Sequence, residues 1–327
     1  MKLRGRSLFL ASCAVALGIL ASLPAHAQSW PTKPVKFISP FPPGGSVDPL
    51  ARLLAVKLSE SLGQPFVVEN KTGASGSIGT AFVAKSPPDG YTFVFVFDTH
   101  GVNPSLIPNM PFDTVKDLAP VMLIGTAPMA IAVAPSKPYK TFADFVDAAK
   151  AKPDTISYGT VGSGSLGHLT MTLVQQAGGF KVVHVPYKGG GPMVTDVLGG
   201  QIESGIGSVA LLSAHVKSGK LRALAVTGEQ RTNVLPDVPT LAEQGFPGFS
   251  AVAWWGVFGP AGTPRPIIER LNAEFTNIMS KPEMKKQLTE QFGIDLVLSS
   301  PEKLQEWTVG EIARWGKVVR DNGIRGE

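Results

Sequence analysis

SPFPPGGSVDPLARLLAVKLSE, residues 39–60, joins two kinds of pattern. Before it comes a β-like run, VKFIS, at Val35–Ser39. After it comes an apolar repeat near 3.6 residues, with Leu50, Leu53, Leu54 and Leu58 on one face of a helix. Between them stand prolines, then Gly44, Gly45 and Ser46. Asp48-Pro49 reads as N-cap and first helical residue, giving a helix over Pro49–Leu62. Strand, glycine turn and helix in this order make one unit of an α/β fold. The turn brings bare backbone to a helix mouth, where amides and the helix dipole attract an anion. The same turn also serves as a plain connection capped by Asp48, and this stretch alone leaves both readings open.

The unit recurs along the chain. Further strands are expected at Phe66–Glu69, Thr92–Phe97, Thr155–Tyr158, Val182–Val185, Ile202–Gly207 and Leu221–Val226. Further helices are expected at Ser77–Lys85, Phe142–Ala151, Leu166–Ala177, Pro192–Leu198 and Val209–Lys217, then at Pro266–Met279, Pro282–Phe292 and Pro301–Arg320. This alternation predicts parallel sheets covered by helices. Thr141 and Asp144 form a capping-box pattern ahead of the helix at Phe142. Ala127–Pro135 and Pro247–Pro260, the latter holding Trp254 and Trp255, read as crossings between two halves and as hinges.

The second half repeats the glycine device. The strand at Thr155–Tyr158 runs into GTVGSGSLGH, residues 159–168, and then into a helix. Gly162, Gly164 and Gly167 spell G-x-G-x-x-G. The acidic residue that a dinucleotide site needs about 20 positions later is missing, because the next strand ends His184-Val185-Pro186-Tyr187. Two glycine turns, one per half, predict a carboxylate-sized ligand between them. A third, NKTGASGSIG at 70–79, reads equally well as structural. No serine stands in G-x-S-x-G, and no histidine pair has H-x-x-x-H spacing. His100 and His168 are kept as site candidates because both follow strand ends. Thr99–Asn103 reads as a polar loop at a strand's C-terminal end, where open α/β sheets place ligands.

Length and composition agree with a two-domain globular chain: 327 residues, 43% hydrophobic and 17% charged. Lys2, Arg4 and Arg6, an apolar run and Ala25-His26-Ala27 form a secretory leader cut after Ala27. Cys13, the single cysteine, lies inside it. A lipoprotein cut there would leave an apolar core of about six residues, shorter than the usual ~7–15, so cleavage after Ala27 is preferred. With the leader's three basic residues removed, 27 Lys/Arg face 25 Asp/Glu, a net charge of +2. That is no nucleic-acid footprint.

Over the whole mature chain the sequence resembles the extracytoplasmic solute receptors of the tripartite tricarboxylate transporter family, the Bug receptors. The resemblance rests on PFPPGGSVDPLARLLA (40–55), VVENKTGASGSIGTAFVAKSPPDGYT (67–92), GTVGSGSLGHL (159–169), VPYKGGGPMVTDVLGGQIE (185–203) and GKLRALAVTGEQRTNVLPDVPTLAEQG (219–245). It implies an α/β, two-domain Venus flytrap of the type II periplasmic binding protein kind, with the ligand in the interdomain cleft. The domains would be 28–128 plus 252–327, and 129–251, after a signal peptide at 1–27. It implies a non-catalytic periplasmic receptor, a monomer without metal or cofactor, handing a small carboxylate to the membrane subunits of a transporter. A receptor feeding a sensor kinase, or an exported hydrolase, is the alternative.

The ligand carboxylate would be held by Gly44, Gly45 and Ser46 facing Thr160, Gly162, Ser163 and Ser165, with His168 behind. The far end would meet Thr99, His100 and Asn103, and the strand end at Gly207 and Ser208, with Phe41 as an apolar wall. The chain departs from many members in carrying Glu203 for an aspartate and the small run Ser204–Ser208 for a bulkier one. That run would leave room for a bulky or aromatic acid. No arginine stands in these loops as a bidentate clamp, so a mono- or dicarboxylate is expected over citrate.

Overall fold

Residues 30–325 are described by this computed structural model. The leader expected at 1–27 and Cys13 lie outside them. The strands are β1 (Val35–Ser39), β2 (Phe66–Asn70), β3 (Thr92–Val96), β4 (Leu118–Val133), β5 (Ser157–Thr160), β6 (Val183–Pro186), β7 (Ser204–Ser208), β8 (Arg222–Val226), β9 (Val252–Pro260) and β10 (Asp295–Leu296). The helices are α1 (Val47–Leu62), α2 (Ser77–Ala84), α3 (Thr99–Leu106), α4 (Phe142–Ala151), α5 (Leu166–Gly178), α6 (Gly190–Leu198), α7 (Val209–Lys217), α8 (Arg265–Met279), α9 (Pro282–Lys286) and α10 (Pro301–Asp321).

The strands follow the order β2-β1-β3-β9-β4-β7-β5-β6, with β8 and β10 also paired to β4. The β1–β2, β1–β3, β5–β6 and β5–β7 pairs are parallel. The long strand β4 joins the two halves. Its Leu118–Pro128 stretch runs antiparallel to β9, from Leu118↔Pro260 to Pro128↔Val252. From Met129 onward it pairs instead with β7 and, from Ala130, with β8. The change of partner falls inside the expected crossing Ala127–Pro135.

Period-two alternation explains the first half. Phe37 and Phe95 face Phe275 of α8, with ring centroids 6.2 and 6.1 Å from it. Ile38, Val94 and Val96 point the other way, into a cluster with Trp254, Phe258 and Leu304. Both faces are covered, and β3 accordingly reads as an apolar run over Phe93–Val96. In the second half, Ala130 and Ala132 pack with Met193, Val197 and Leu212 of α6 and α7.

Local chemistry sets most helix boundaries. The Thr141 hydroxyl accepts from the Asp144 amide at 3.1 Å and the Asp144 carboxylate accepts from the Thr141 amide at 2.9 Å, closing the expected capping box. Pro266, Pro282 and Pro301 lie in first turns.

Two expectations change. First, α1 begins at Val47, so Asp48 is inside the helix and is not its cap. Its carboxylate accepts from the Arg52 guanidinium at 2.9 and 3.0 Å and from the Asn70 amide at 2.7 Å. Second, the loop expected at Thr99–Asn103 is the start of α3, despite Gly101 and Pro104. Packing on α10 overrides weak propensity. A β-carbon at Gly101 would come within 2.8 Å of Glu311, and one at Gly316 within 2.6 Å of Ser105. The two glycines let these helices approach closely.

Candidate ligand-binding site

Three glycine turns converge where the two halves meet. In the first, between β1 and α1, the Phe41 carbonyl accepts from the Ser39 hydroxyl and the Asn70 amide, at 3.2 and 2.9 Å. This pins Phe41, whose ring packs edge-on against Phe97 at 6.0 Å. Ser46 holds the N-cap position of α1 without a side-chain cap bond. Of the two glycines, Gly44 alone has positive φ, at 87°, and a β-carbon there would lie 3.6 Å from Gly191.

The second turn, Gly73–Gly76, carries Ser75 at φ 51°. The Ser75 carbonyl accepts from the Thr99 hydroxyl at 2.9 Å and the Asn103 amide at 3.1 Å. Thr99 and Asn103 therefore hold this turn in place, and Asn103 also borders the cavity below. Asn103→Ala is expected to lower stability by about 1 kcal/mol and to weaken ligand binding. Urea unfolding and calorimetry on the same variant check both effects.

The third turn, Thr160–Ser165, is clamped from behind. Thr160 donates its hydroxyl to the Gly162 carbonyl at 3.0 Å and meets His184 Nε2 at 2.7 Å. His168 Nδ1 accepts from the Gly164 amide at 3.0 Å. The two imidazoles stack at 3.9 Å. Burial lowers the pKa of both, and the His168 ring adds to the effect on His184, which falls to about 3. Ser165 caps α5 by accepting from the His168 amide.

The turns touch one another. Ser75 Oγ donates to the Ser163 carbonyl at 3.3 Å. A β-carbon at Gly164 would overlap Leu106, and one at Gly189 would reach Pro42 at 2.9 Å.

A cavity of about 450 Å³ lies among the turns. Phe41, Asn103, Gly162 and Ser163 border it, as the sequence suggested. So do the Thr72–Gly76 turn, Leu106, Ile107, Val161, Tyr187 and Lys188, which it did not. A much smaller cavity of about 20 Å³ touches Gly45, Ser46 and Ser208, and shares Phe41 and Val161 with the first. The Ser208 hydroxyl beside it is buried and has no hydrogen-bond partner among the described residues. Gly44, Thr99, Thr160, Ser165, His168 and Gly207 line neither cavity.

His100 lies in the core, with its ring 4.9 Å from Phe258 and 6.2 Å from Trp254. Burial takes its pKa down to about 3. Asp98, buried at the end of β3, makes no hydrogen bond of good geometry among the described residues. Burial and the nearby Glu311 carboxylate raise its pKa well above the carboxylate range, opposed by the Leu166 and Thr99 amides.

The small run of β7 does not widen the cleft. A β-carbon at Gly205 would come within 2.8 Å of Val197, and one at Gly207 within 3.0 Å of Leu211. These residues are small so that α6 and α7 can seat on the strand. Glu203 precedes the opposite end of β7 from Ser208, and is taken up by Lys137 at 2.7 Å and the Tyr139 hydroxyl at 3.3 Å. The missed wall residues Tyr187 and Lys188 had a signal. VPYKGGGP repeats the order of strand, glycine turn and helix seen at the other two mouths.

A fold of this kind is that of the two-domain periplasmic binding proteins. The family described as tripartite tricarboxylate transporter family receptor matches residues 50–324, and the chain belongs to it. Protein BugT of Bordetella pertussis is 37% identical over 304 residues, covering 92% of this chain and 93% of BugT. R. palustris Rpa4515, solved with adipate, superposes with a TM-score of 0.87 at 36% identity, covering 90% of this chain and 99% of that one. MatC from Rhodopseudomonas palustris, solved with bound malate, gives 0.82 at 30% identity, covering 89% and 100%. The family is one of receptors, and BugD, solved as a periplasmic binding protein, superposes with a TM-score of 0.86 at 32% identity, covering 91% of this chain and 100% of that one.

Proposed function

We propose that this protein is a periplasmic receptor that binds a small organic mono- or dicarboxylate and delivers it to membrane subunits of a tripartite tricarboxylate-type transporter, without catalysing a reaction. The observation that carries this reading is the lining of the 450 Å³ cavity. It combines backbone groups of the glycine turns, the Ser75 and Ser163 side chains, apolar walls and a lysine, and no Asp or Glu borders it among the described residues. Such a lining suits an anion and suits an amine poorly. The ligands named for Rpa4515 and MatC, adipate and malate, are dicarboxylates, and the sizes compatible with the cavity include both.

Phe41, Gly44, Gly45, Ser46, Asn103, Gly162, Ser163 and Ser208 are the proposed contacts. Thr99, Thr160, Ser165, His100, His168 and Gly207 support them from behind. The domains are taken as 28–128 plus 252–327, and 129–251, closing on the ligand about the two crossings. The change of β4's partners at Pro128 and Met129 supports that border. The mature chain is taken to begin after Ala27 and to act as a monomer.

A thermal-shift screen over organic acids, sugars and amino acids tests the reading. A bound carboxylate at a hundredfold excess over Kd adds about 2.7 kcal/mol of stability, while neutral sugars and cationic amino acids should add none. A shift with a sugar and with no carboxylate overturns it.

A further inference from the structure

Among the residues lining the 450 Å³ cavity, Lys188 is the single charged one. Two lysines elsewhere in the chain are neutralised by carboxylates, Lys71 by Glu69 at 2.7 Å and Lys137 by Glu203 at 2.7 Å. Lys188 forms no ion pair within 4.0 Å among the described residues. The cavity's lining therefore includes one positive charge, on an exposed side chain, that no carboxylate of the described residues neutralises.

The backbone beneath that charge is fixed. The Tyr187 hydroxyl donates to Asp196 at 2.7 Å, and the Tyr187 amide donates to the Thr160 carbonyl at 3.0 Å. On the other side Gly189 lies against Pro42, leaving no room for a β-carbon. Lys188 is thus rooted between two anchored residues at the cavity's rim, and its ammonium moves only by its own flexible stem. The rest of the wall includes Phe41, Leu106, Ile107 and Val161, apolar surface fit for a carbon skeleton.

Backbone amides and hydroxyls can hold one carboxylate by hydrogen bonds alone. A second carboxylate in the same cleft repels the first and needs a countercharge.

We propose that Lys188 is the specificity-determining residue of the cleft, pairing its ammonium with the second carboxylate of a dicarboxylate whose carbon chain or ring lies against the apolar wall. This rests on the carboxylate-receptor reading above and narrows it from mono- or dicarboxylates to dicarboxylates. Glycine turns take either class. The unneutralised lysine makes the difference.

The test uses acids matched in skeleton and differing by one carboxylate: adipate against hexanoate, and terephthalate against benzoate. Calorimetry is run on the mature protein, on K188Q and on K188R. For whichever pair the protein binds, the diacid is expected to bind the native protein more tightly than the monoacid. K188Q should lose about three- to tenfold in diacid affinity, the range for a partly solvated ion pair, and less than twofold for the monoacid. K188R should keep the preference. Added salt should weaken the diacid more than the monoacid in the native protein, and this difference should vanish in K188Q.

If K188Q retains the preference for the diacid, or loses both acids equally, the assignment of Lys188 is overturned while the receptor reading stands. If the native protein binds neither acid of either pair, and no other carboxylate in the thermal-shift screen, the receptor reading falls and the assignment with it.

Discussion

Gly191→Val is expected to lower affinity for the carboxylate proposed above by about 5- to 150-fold, with the fold retained. Gly191 is the second residue of α6, and a β-carbon there would meet the Pro43 carbonyl at 3.2 Å and Gly44 at 3.5–3.6 Å. Backbone faces backbone across this contact, with no side chain to move aside. Overfilling such a contact costs roughly 1–3 kcal/mol, and each 1.4 kcal/mol is about a tenfold loss in affinity. The cost falls on closure and spares folding, because the helix tolerates valine at this position with a penalty below about 1 kcal/mol. Calorimetry gives the affinity. Small-angle scattering gives the cause: ligand should shrink the radius of gyration of the native protein and leave that of the variant unchanged. Native affinity in a folded Gly191→Val protein would remove this contact from the closing mechanism.

The second large effect is acid sensitivity at His100. Its ring is buried against Trp254 and Phe258, Nε2 has no partner among the described residues, and burial holds its pKa near 3. A histidine depressed in the folded state stabilises the protein above its unfolded pKa of about 6.5, and that stability is lost as pH falls toward the folded value. From pH 8 to 4.5 the loss from this one group is about 2–3 kcal/mol.

Asp98 and Glu311 lie among the neighbouring elements and act with the opposite sign. Burial raises both pKa values, so they give stability that is present in acid and lost as pH rises through those raised values. Their contribution largely cancels in a comparison with His100→Leu, which carries the same carboxylates. The stability of the native protein minus that of the variant, from urea unfolding, should fall by about 2–3 kcal/mol between pH 8 and pH 4.5. A difference that does not change with pH would mean that the ring gains its proton without cost.

Where structure follows from local chemistry, the sequence is a good guide. Val35–Ser39, Phe142–Ala151 and Val209–Lys217 have the expected boundaries, because alternation, a capping box and a helical stripe are all written within a few residues. The first and third glycine turns were legible for the same reason.

What could not be read depends on distant partners. The helix at Thr99–Leu106 exists because Gly101 lies against Glu311, more than two hundred positions away. The small residues of β7 suggested space, yet whether a glycine leaves a void or admits a neighbour depends on Val197 and Leu211. Asp48 looked like a cap, but Asn70, 22 positions on, donates to its carboxylate. The charge of Lys188 was visible, but its lack of a partner beside a cavity was not.

Strand β9 also sets an order of assembly. It lies between β3 and β4 in the sheet, yet it follows all of β5–β8 along the chain. A chain emerging from its N-terminus has made β1, β2, β3 and β4 long before the strand that unites them, with Leu118 waiting for Pro260 and Val94 for Phe258. Such pairings between distant residues are slow to form. Until they do, β3 and the first part of β4 keep open edges of the kind that pair with other chains. A product truncated between Val226 and Val252 would keep those edges for good, so early termination in this chain should yield sticky fragments rather than a free-standing half.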